Sequence, residues 1–144
     1  MGHQGAQFVA REVRFRDIRL GVAVDLLLDG SRRRVIGVDV RCGDGAPRFL
    51  PLAASDVCDG HLAVSSPLSL VSGALGFYDR RARPLSSLRG RPVRRRRVEV
   101  GRLVDVVFGD DGAIAALEVE TTAGRRELPL EDGVAVDDAL RPAV

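Results

Sequence analysis

The chain has 144 residues, of which 45% are hydrophobic and 29% charged, so it can build a core and need not be disordered. No apolar run approaches the roughly 18 residues of a membrane helix, and the first seven residues lack a basic-then-apolar export pattern. With only two cysteines to exclude a disulfide framework, the expectation is a soluble, cytoplasmic protein. All 22 basic residues are arginine, which removes lysine Schiff-base and lysine-nucleophile chemistry and fits the codon bias of a GC-rich bacterial genome. The net charge of +2 hides an asymmetry. Residues 1–100 hold eighteen arginines against ten acidic residues, and residues 101–144 hold four against ten. The molecule should therefore have electrical poles.

Along the chain the apolar period is two, the mark of half-buried strands. In 22–29, Val22, Val24, Leu26 and Leu28 share one face, and Ala23, Asp25, Leu27 and Asp29 the other. Asp29-Gly30 reads as a turn, Val35 to Cys42 as a second strand, and Gly43-Asp44-Gly45 as the next turn. Phe49 to Leu52 is a short strand that Pro51 confines to an edge or bend, and Asp59-Gly60 introduces a last strand, Leu62 to Val64. Short strands separated by Gly-rich turns predict antiparallel sheet or small barrel.

The pattern then returns. Gly21, Val24, Asp25, Leu26 and Leu28 match Gly101, Val104, Asp105, Val106 and Phe108, and Val38-Asp39-Val40 matches Leu117-Glu118-Val119. Gly45 matches Gly124, Leu50-Pro51-Leu52 matches Leu128-Pro129-Leu130, and Asp59-Gly60 matches Asp132-Gly133. Leu62 and Val64 match Val134 and Val136, and upstream Phe8 to Val13 faces Leu88 to Val93. The offset shrinks stepwise, as loop deletions between fixed strands would make it, and a duplicated small β unit is the simplest explanation.

Each copy resembles a PRC-barrel, the small β-barrel named after the photosynthetic reaction centre. The resemblance lies in a leading L-x-G-x-x-V, a G-x-x-x-D strand, a ϕ-x-ϕ-x-V strand, a ϕ-P-ϕ strand and a closing D-G-ϕ-x-V, where ϕ is apolar. The second copy opens as Leu88-Arg89-Gly90-Arg91-Pro92-Val93, whereas the first carries Phe8 and Ala10 in place of Leu and Gly. The resemblance implies an all-β protein of two small antiparallel barrels in tandem, joined by a partly helical linker. Residues 1–7 would be a flexible tail, 8–65 the first repeat, 66–87 the linker, 88–138 the second repeat and 139–144 a C-terminal tail. Members occur in the reaction-centre H subunit, in a ribosome-maturation factor and beside magnesium-transporter domains. The implied role is an adaptor or regulatory module, with no shared catalytic residues; no cofactor is expected. The membrane helix of the H subunit and the first domain of the maturation factor have no counterpart here.

The linker pattern predicts a helix. Ser66 can cap it, Pro67 suits its first position, and Leu68, Val71, Leu75 and Tyr78 fall near one face with Phe77 beside them. That face either braces the two copies or docks a partner protein, and Leu68, Val71, Leu75, Phe77 and Tyr78 are its candidate residues.

Catalytic constellations are missing. There is no Gly-x-Ser-x-Gly elbow, phosphate-binding loop or His-Glu-x-x-His pair. Asp25 and Asp105 are copies of one strand position and read as backbone-bonding aspartates. Cys58 and His61 have a metal-like spacing that Cys42 could join, yet the second copy has neither residue type there, so no metal site is expected. The remaining signal is arginine. Arg94, Arg95, Arg96 and Arg97 fall at a hairpin tip and Arg32, Arg33 and Arg34 at another turn; with Arg89 and Arg91 they could form a surface for phosphates or an acidic protein. Only 4% of the chain is aromatic and no helix-turn-helix pattern is present, which disfavours nucleic acid. The expected partner is another protein, with self-association as a further route and no membrane insertion. An RNA- or ribosome-associated factor is the alternative.

Overall fold

The computed structural model describes residues 2–29, 33–71, 82–131 and 133–136. The fold is all-β. The first half contains β1 (His3–Gln4), a 3-10 turn at Gly5–Gln7, β2 (Glu12–Phe15), β3 (Ile18–Asp29), β4 (Arg34–Cys42) and β5 (Pro47–Pro51). A 3-10 turn at Leu52–Ala54, β6 (Ser55–Cys58), β7 (His61–Val64) and a 3-10 turn at Pro67–Ser69 follow. The second half contains β8 (Ala82–Pro84), a short helix at Leu85–Leu88, β9 (Pro92–Arg95), β10 (Val98–Phe108), β11 (Ile114–Thr121), β12 (Gly124–Pro129) and β13 (Val134–Val136).

Two sheets result, ordered β5-β4-β3-β2-β7-β6 and β12-β11-β10-β9-β13. In the second sheet residues 130–133 join its two edge strands, β12 and β13. Four residues cannot cross the four strand spacings of a flat sheet, about 19 Å, and still take up register, so the sheet must curl.

The repeat read from sequence reappears as repeated hydrogen bonds. Ala10 N donates to Ala23 O and Gly90 N to Leu103 O; Ala23 N donates to Arg11 O and Leu103 N to Arg91 O. Ala10 takes the same left-handed conformation as Gly90, with φ of 67° and 82°, so the alanine in the weaker opening occupies a glycine position at some cost.

A register shift between Ala23 and Asp25, and its counterpart between Leu103 and Asp105, corrects the alternation expected along β3. Each bulge exchanges the faces. Ala23, Leu26 and Leu28 are buried, whereas Val24 is 41% exposed. Val22 and Val24 are therefore not the core positions that strict alternation predicts.

The two halves do not stand apart. Residues 3–7, expected as a tail, carry β1 and a 3-10 turn, and β1 pairs with β10 of the second half (His3 with Phe108, Gln4 with Val107). Reciprocally, β8 pairs with β3 of the first half (Leu27 with Pro84, Leu28 with Arg83). Since Leu28 matches Phe108 in the repeat, this is one contact made twice about a pseudo-two-fold axis. The equivalent residues Arg34 and Ala113 pair with each other on that axis. Val35 N donates to Gly112 O (2.8 Å), and Ile114 N to Arg33 O (3.0 Å).

One continuous core follows, running from Phe8 and Val13 through Leu26, Leu50 and Leu88 to Phe108, Leu117 and Val136. The Phe8 and Phe108 rings, one from each half, lie 5.5 Å apart within it. A half of this size alone would bury only about 60% of its unfolded surface, so sharing a core is the physical gain of the pairing.

The helix expected from Ser66 is a single turn in its described part. Ser66 Oγ accepts from Leu68 N, Pro67 occupies the first position, and Leu70 is already extended. The rest of that expectation, including Leu75, Phe77 and Tyr78, lies outside the described residues, and no helix among the described residues is long and apolar enough to cross a membrane.

Candidate functional site

Asp105 is the best-positioned acidic group. Its bulge turns the carboxylate inward, where it is 4% exposed and accepts from Gly5 N (2.9 Å), Ala6 N (3.0 Å) and Val106 N (2.8 Å). Asp25 repeats the arrangement at the half-exposed mirror site, accepting from Ser86 N (3.2 Å), Ser86 Oγ and Leu26 N. Each aspartate thus clamps the turn that the other half sends across. Their role is to lock the halves together, since every contact is with a donor of the chain itself.

The candidate arginines divide into committed and uncommitted groups. Arg33 Nη2 donates to Leu130 O (2.7 Å) and Glu131 O (3.2 Å), fastening the first half to the second. Arg34 stands 4.0 Å from Asp111, Arg95 lies 3.9 Å from Glu131, and Arg89 Nε donates to Val104 O at 3.1 Å. Arg91 also has a partner, and Arg32 lies outside the described residues. The arginines therefore do not form one surface. Arg94, Arg96 and Arg97 remain at the tip between β9 and β10, exposed and without a side-chain hydrogen bond or ion pair among the described residues.

That tip is a two-residue turn closed by the Arg95–Val98 pair, with Arg96 and Arg97 at φ of 51° and 70°. Two left-handed residues in a row favour Asn-Gly, so the arginines hold a strained conformation. The equivalent hairpin of the first half engages most of its charges within itself. Glu12 lies 3.0 Å from Arg14 and 4.0 Å from Arg19, and Arg16 packs over the Phe15 ring at 5.0 Å. In the second half the position of Glu12 is Pro92 and that of Asp17 is Arg97.

A second difference lies at the other edge. In the first half Arg48 forms a two-pronged pair with Asp44, Nη1–Oδ1 at 3.1 Å and Nη2–Oδ2 at 3.0 Å. This guanidinium, with the Ala46 N–H, holds the Asp44 carboxyl below the usual carboxylate range. The neighbouring Phe49 pairs with Val71 through Phe49 N to Val71 O (3.0 Å) and Val71 N to Phe49 O (2.8 Å). Val71 thus braces the β5 edge, while Leu68 is 88% exposed.

In the second half the matching positions are Arg126, Ala123 and Glu127. Arg126 has no side-chain partner among the described residues, and no described residue pairs with the outer edge of β12. A groove of about 400 Å³ opens there, lined by Val100, Val119, Ala123, Arg126, Glu127 and Leu128 among others. The sequence reading missed Arg126 and Glu127. Their signal was the loss of Asp44 at Ala123, visible once the repeat is aligned.

Cys42 is buried with Val38 and Val40, Cys58 is exposed, and both are free thiols. Among the described residues no three His, Cys, Asp or Glu side chains gather in a metal-binding group. No protein-family model matches the chain, and no curated protein matches it in sequence. The PRC-barrel resemblance therefore stands on the repeated motifs alone.

Proposed function

We propose that the protein is a non-enzymatic adaptor or regulatory module, made of two PRC-like barrels in tandem with a partly helical linker, that binds protein through its barrel surface. The observation that carries this reading is the contrast between equivalent positions. The first half pairs Glu12 with Arg14 and Arg19, Arg48 with Asp44 and its β5 edge with Val71, whereas among the described residues Arg94, Arg126 and the β12 edge have no such partners. Unused donors, cations and an open strand edge are the elements of a binding surface.

A second reading, an RNA- or ribosome-associated factor, is favoured by Arg94, Arg96 and Arg97 at the tip, where three guanidiniums could meet phosphates. Affinity capture with the full chain from a native lysate, run with and without nuclease, separates the two. Protein prey that survives nuclease supports the adaptor; loss of all prey supports the RNA-associated factor. Salt gives a second discriminator, because phosphate binding weakens log-linearly with salt whereas apolar docking changes little.

A further inference from the structure

We propose that the open edge of β12 receives an extended segment of a partner protein that presents a carboxylate beside an apolar side chain. This rests on the adaptor reading and names the chemistry of its partner. The first half supplies the template. There Phe49 offers its N–H and C=O outward and both are taken by Val71, an extended segment. Leu70 packs against the core next to it, and the carboxylate of Asp44 holds Arg48.

Each of these groups has a counterpart in the second half that lacks such a partner among the described residues. Glu127 matches Phe49, so its N–H and C=O point away from β11 and are the natural ends of a strand-addition pair. Leu128 matches Leu50; Leu50 is fully buried, whereas Leu128 is only partly covered and lines the apolar groove with Val100 and Val119. Arg126 lies directly across from Val119, as Arg48 lies across from Val40, so it stands on the groove side of the strand. With alanine at 123 in place of Asp44, that guanidinium has no carboxylate partner among the described residues. An incoming chain with an Asp or Glu next to a Val, Ile or Leu would replace what Asp44 and Leu70-Val71 provide in the first half. The occupant must be extended, because the pair at the edge is made backbone to backbone.

The test uses the full chain and a phage-displayed random heptapeptide library, followed by fluorescence anisotropy with one selected synthetic peptide. Selected sequences should pair an acidic residue with a β-branched or leucine neighbour. Arg126→Ala should weaken that peptide by about tenfold or more, the loss expected for a charge-assisted hydrogen bond. Ala123→Asp should do the same by restoring the internal pair, and Glu127→Pro by deleting the outward donor while leaving the ladder to β11 intact. If Glu127→Pro does not fold, Ala123→Asp carries the test, since it only copies a side chain the first half already tolerates. Arg48→Ala, which removes the equivalent guanidinium that Asp44 already holds in the first half, should leave the affinity unchanged.

Three results would overturn the proposal: no peptide selected, a peptide whose affinity ignores all three edge variants, or slow exchange of the Glu127 amide in the free protein. The last would mean that the chain's own C-terminal residues or a second copy already cover the edge. A peptide that ignores the edge variants removes this site but leaves the adaptor standing. Lysate capture that yields no protein after nuclease removes the adaptor itself.

Discussion

Arg48 and Arg126 occupy the same place in the two halves, on the concave side of β5 and of β12, yet one is held by Asp44 and the other by nothing among the described residues. The hairpin tips repeat the contrast, with Glu12 engaging Arg14 and Arg19 on one side and Arg94, Arg96 and Arg97 uncompensated on the other. Because both halves belong to one chain, an arginine-rich genome cannot by itself account for the difference. The composition is shared, whereas the placement of carboxylates and arginines differs between the halves. The closing strands also diverge. The extra strand β6 turns the chain round once more before β7, which runs parallel to β2, while β13 runs antiparallel to β9. Among the described residues the first half pairs its β5 edge and Arg48 from within, whereas the β12 edge and Arg126 have no such partner.

The largest expected effect tests the contact that holds the halves together. A Cβ on Gly112 would overlap the Val35 carbonyl, and the backbone there has φ of +89°. Gly112→Ala should cost about 3 kcal/mol or more, read as a lower urea midpoint with one cooperative transition. Independent loss of one half before the other would break the picture of a shared core.

The aspartate clamps come next. Asp105→Ala leaves the buried Gly5 donor and the partly buried Ala6 donor unpaired and should cost about 3 kcal/mol, whereas Asp25→Ala at the half-exposed mirror site should cost about 1 kcal/mol. Equal losses would mean that the two clamps are not distinguished by burial. Smaller gains should follow from relieving the left-handed non-glycine positions. Ala10→Gly would match Gly90 and should stabilise by roughly 0.5–1 kcal/mol in the same denaturation assay. An Arg96→Asn, Arg97→Gly double variant should do likewise while reducing binding to heparin resin.

The smallest effect concerns pH. The folded-state pKa of Asp44 is depressed by Arg48, so its contribution to stability is complete above the unfolded value near pH 4 and is lost as pH falls through the lower folded value. Acid titration of Asp44→Ala should therefore converge on the parent only below about pH 4. Ala123→Asp should introduce a similar acid-side dependence if the second half can be neutralised as the first is.

The architecture was readable to the extent that it is local. Alternating apolar residues and Gly turns gave the all-β class, and the recurrence of Gly21–Leu28 at Gly101–Phe108 disclosed the duplication. The hairpin tip at Arg96-Arg97 was also placed, because a run between two apolar strands has nowhere else to go. The face of β3 was misassigned at Val22 and Val24, since a bulge depends on which partner strand is present. The exchange of β1 and β8 escaped detection because His3-Gln4 and Ala82–Pro84 carry no apolar pattern of their own and become strands only against the other half. The candidate site was legible in half: Arg94–Arg97 drew attention as a cluster, whereas Arg126 is an ordinary charge until its counterpart Arg48 is seen holding Asp44.

What the sequence alone determined is the set of strands and their repetition, since side-chain period and turn chemistry act over a few residues. How the halves embrace, and that Arg33 is spent on fastening them, were decided only by the tertiary structure. Those outcomes depend on groups about 60 to 110 positions apart in the chain meeting in space, and no local preference encodes that meeting.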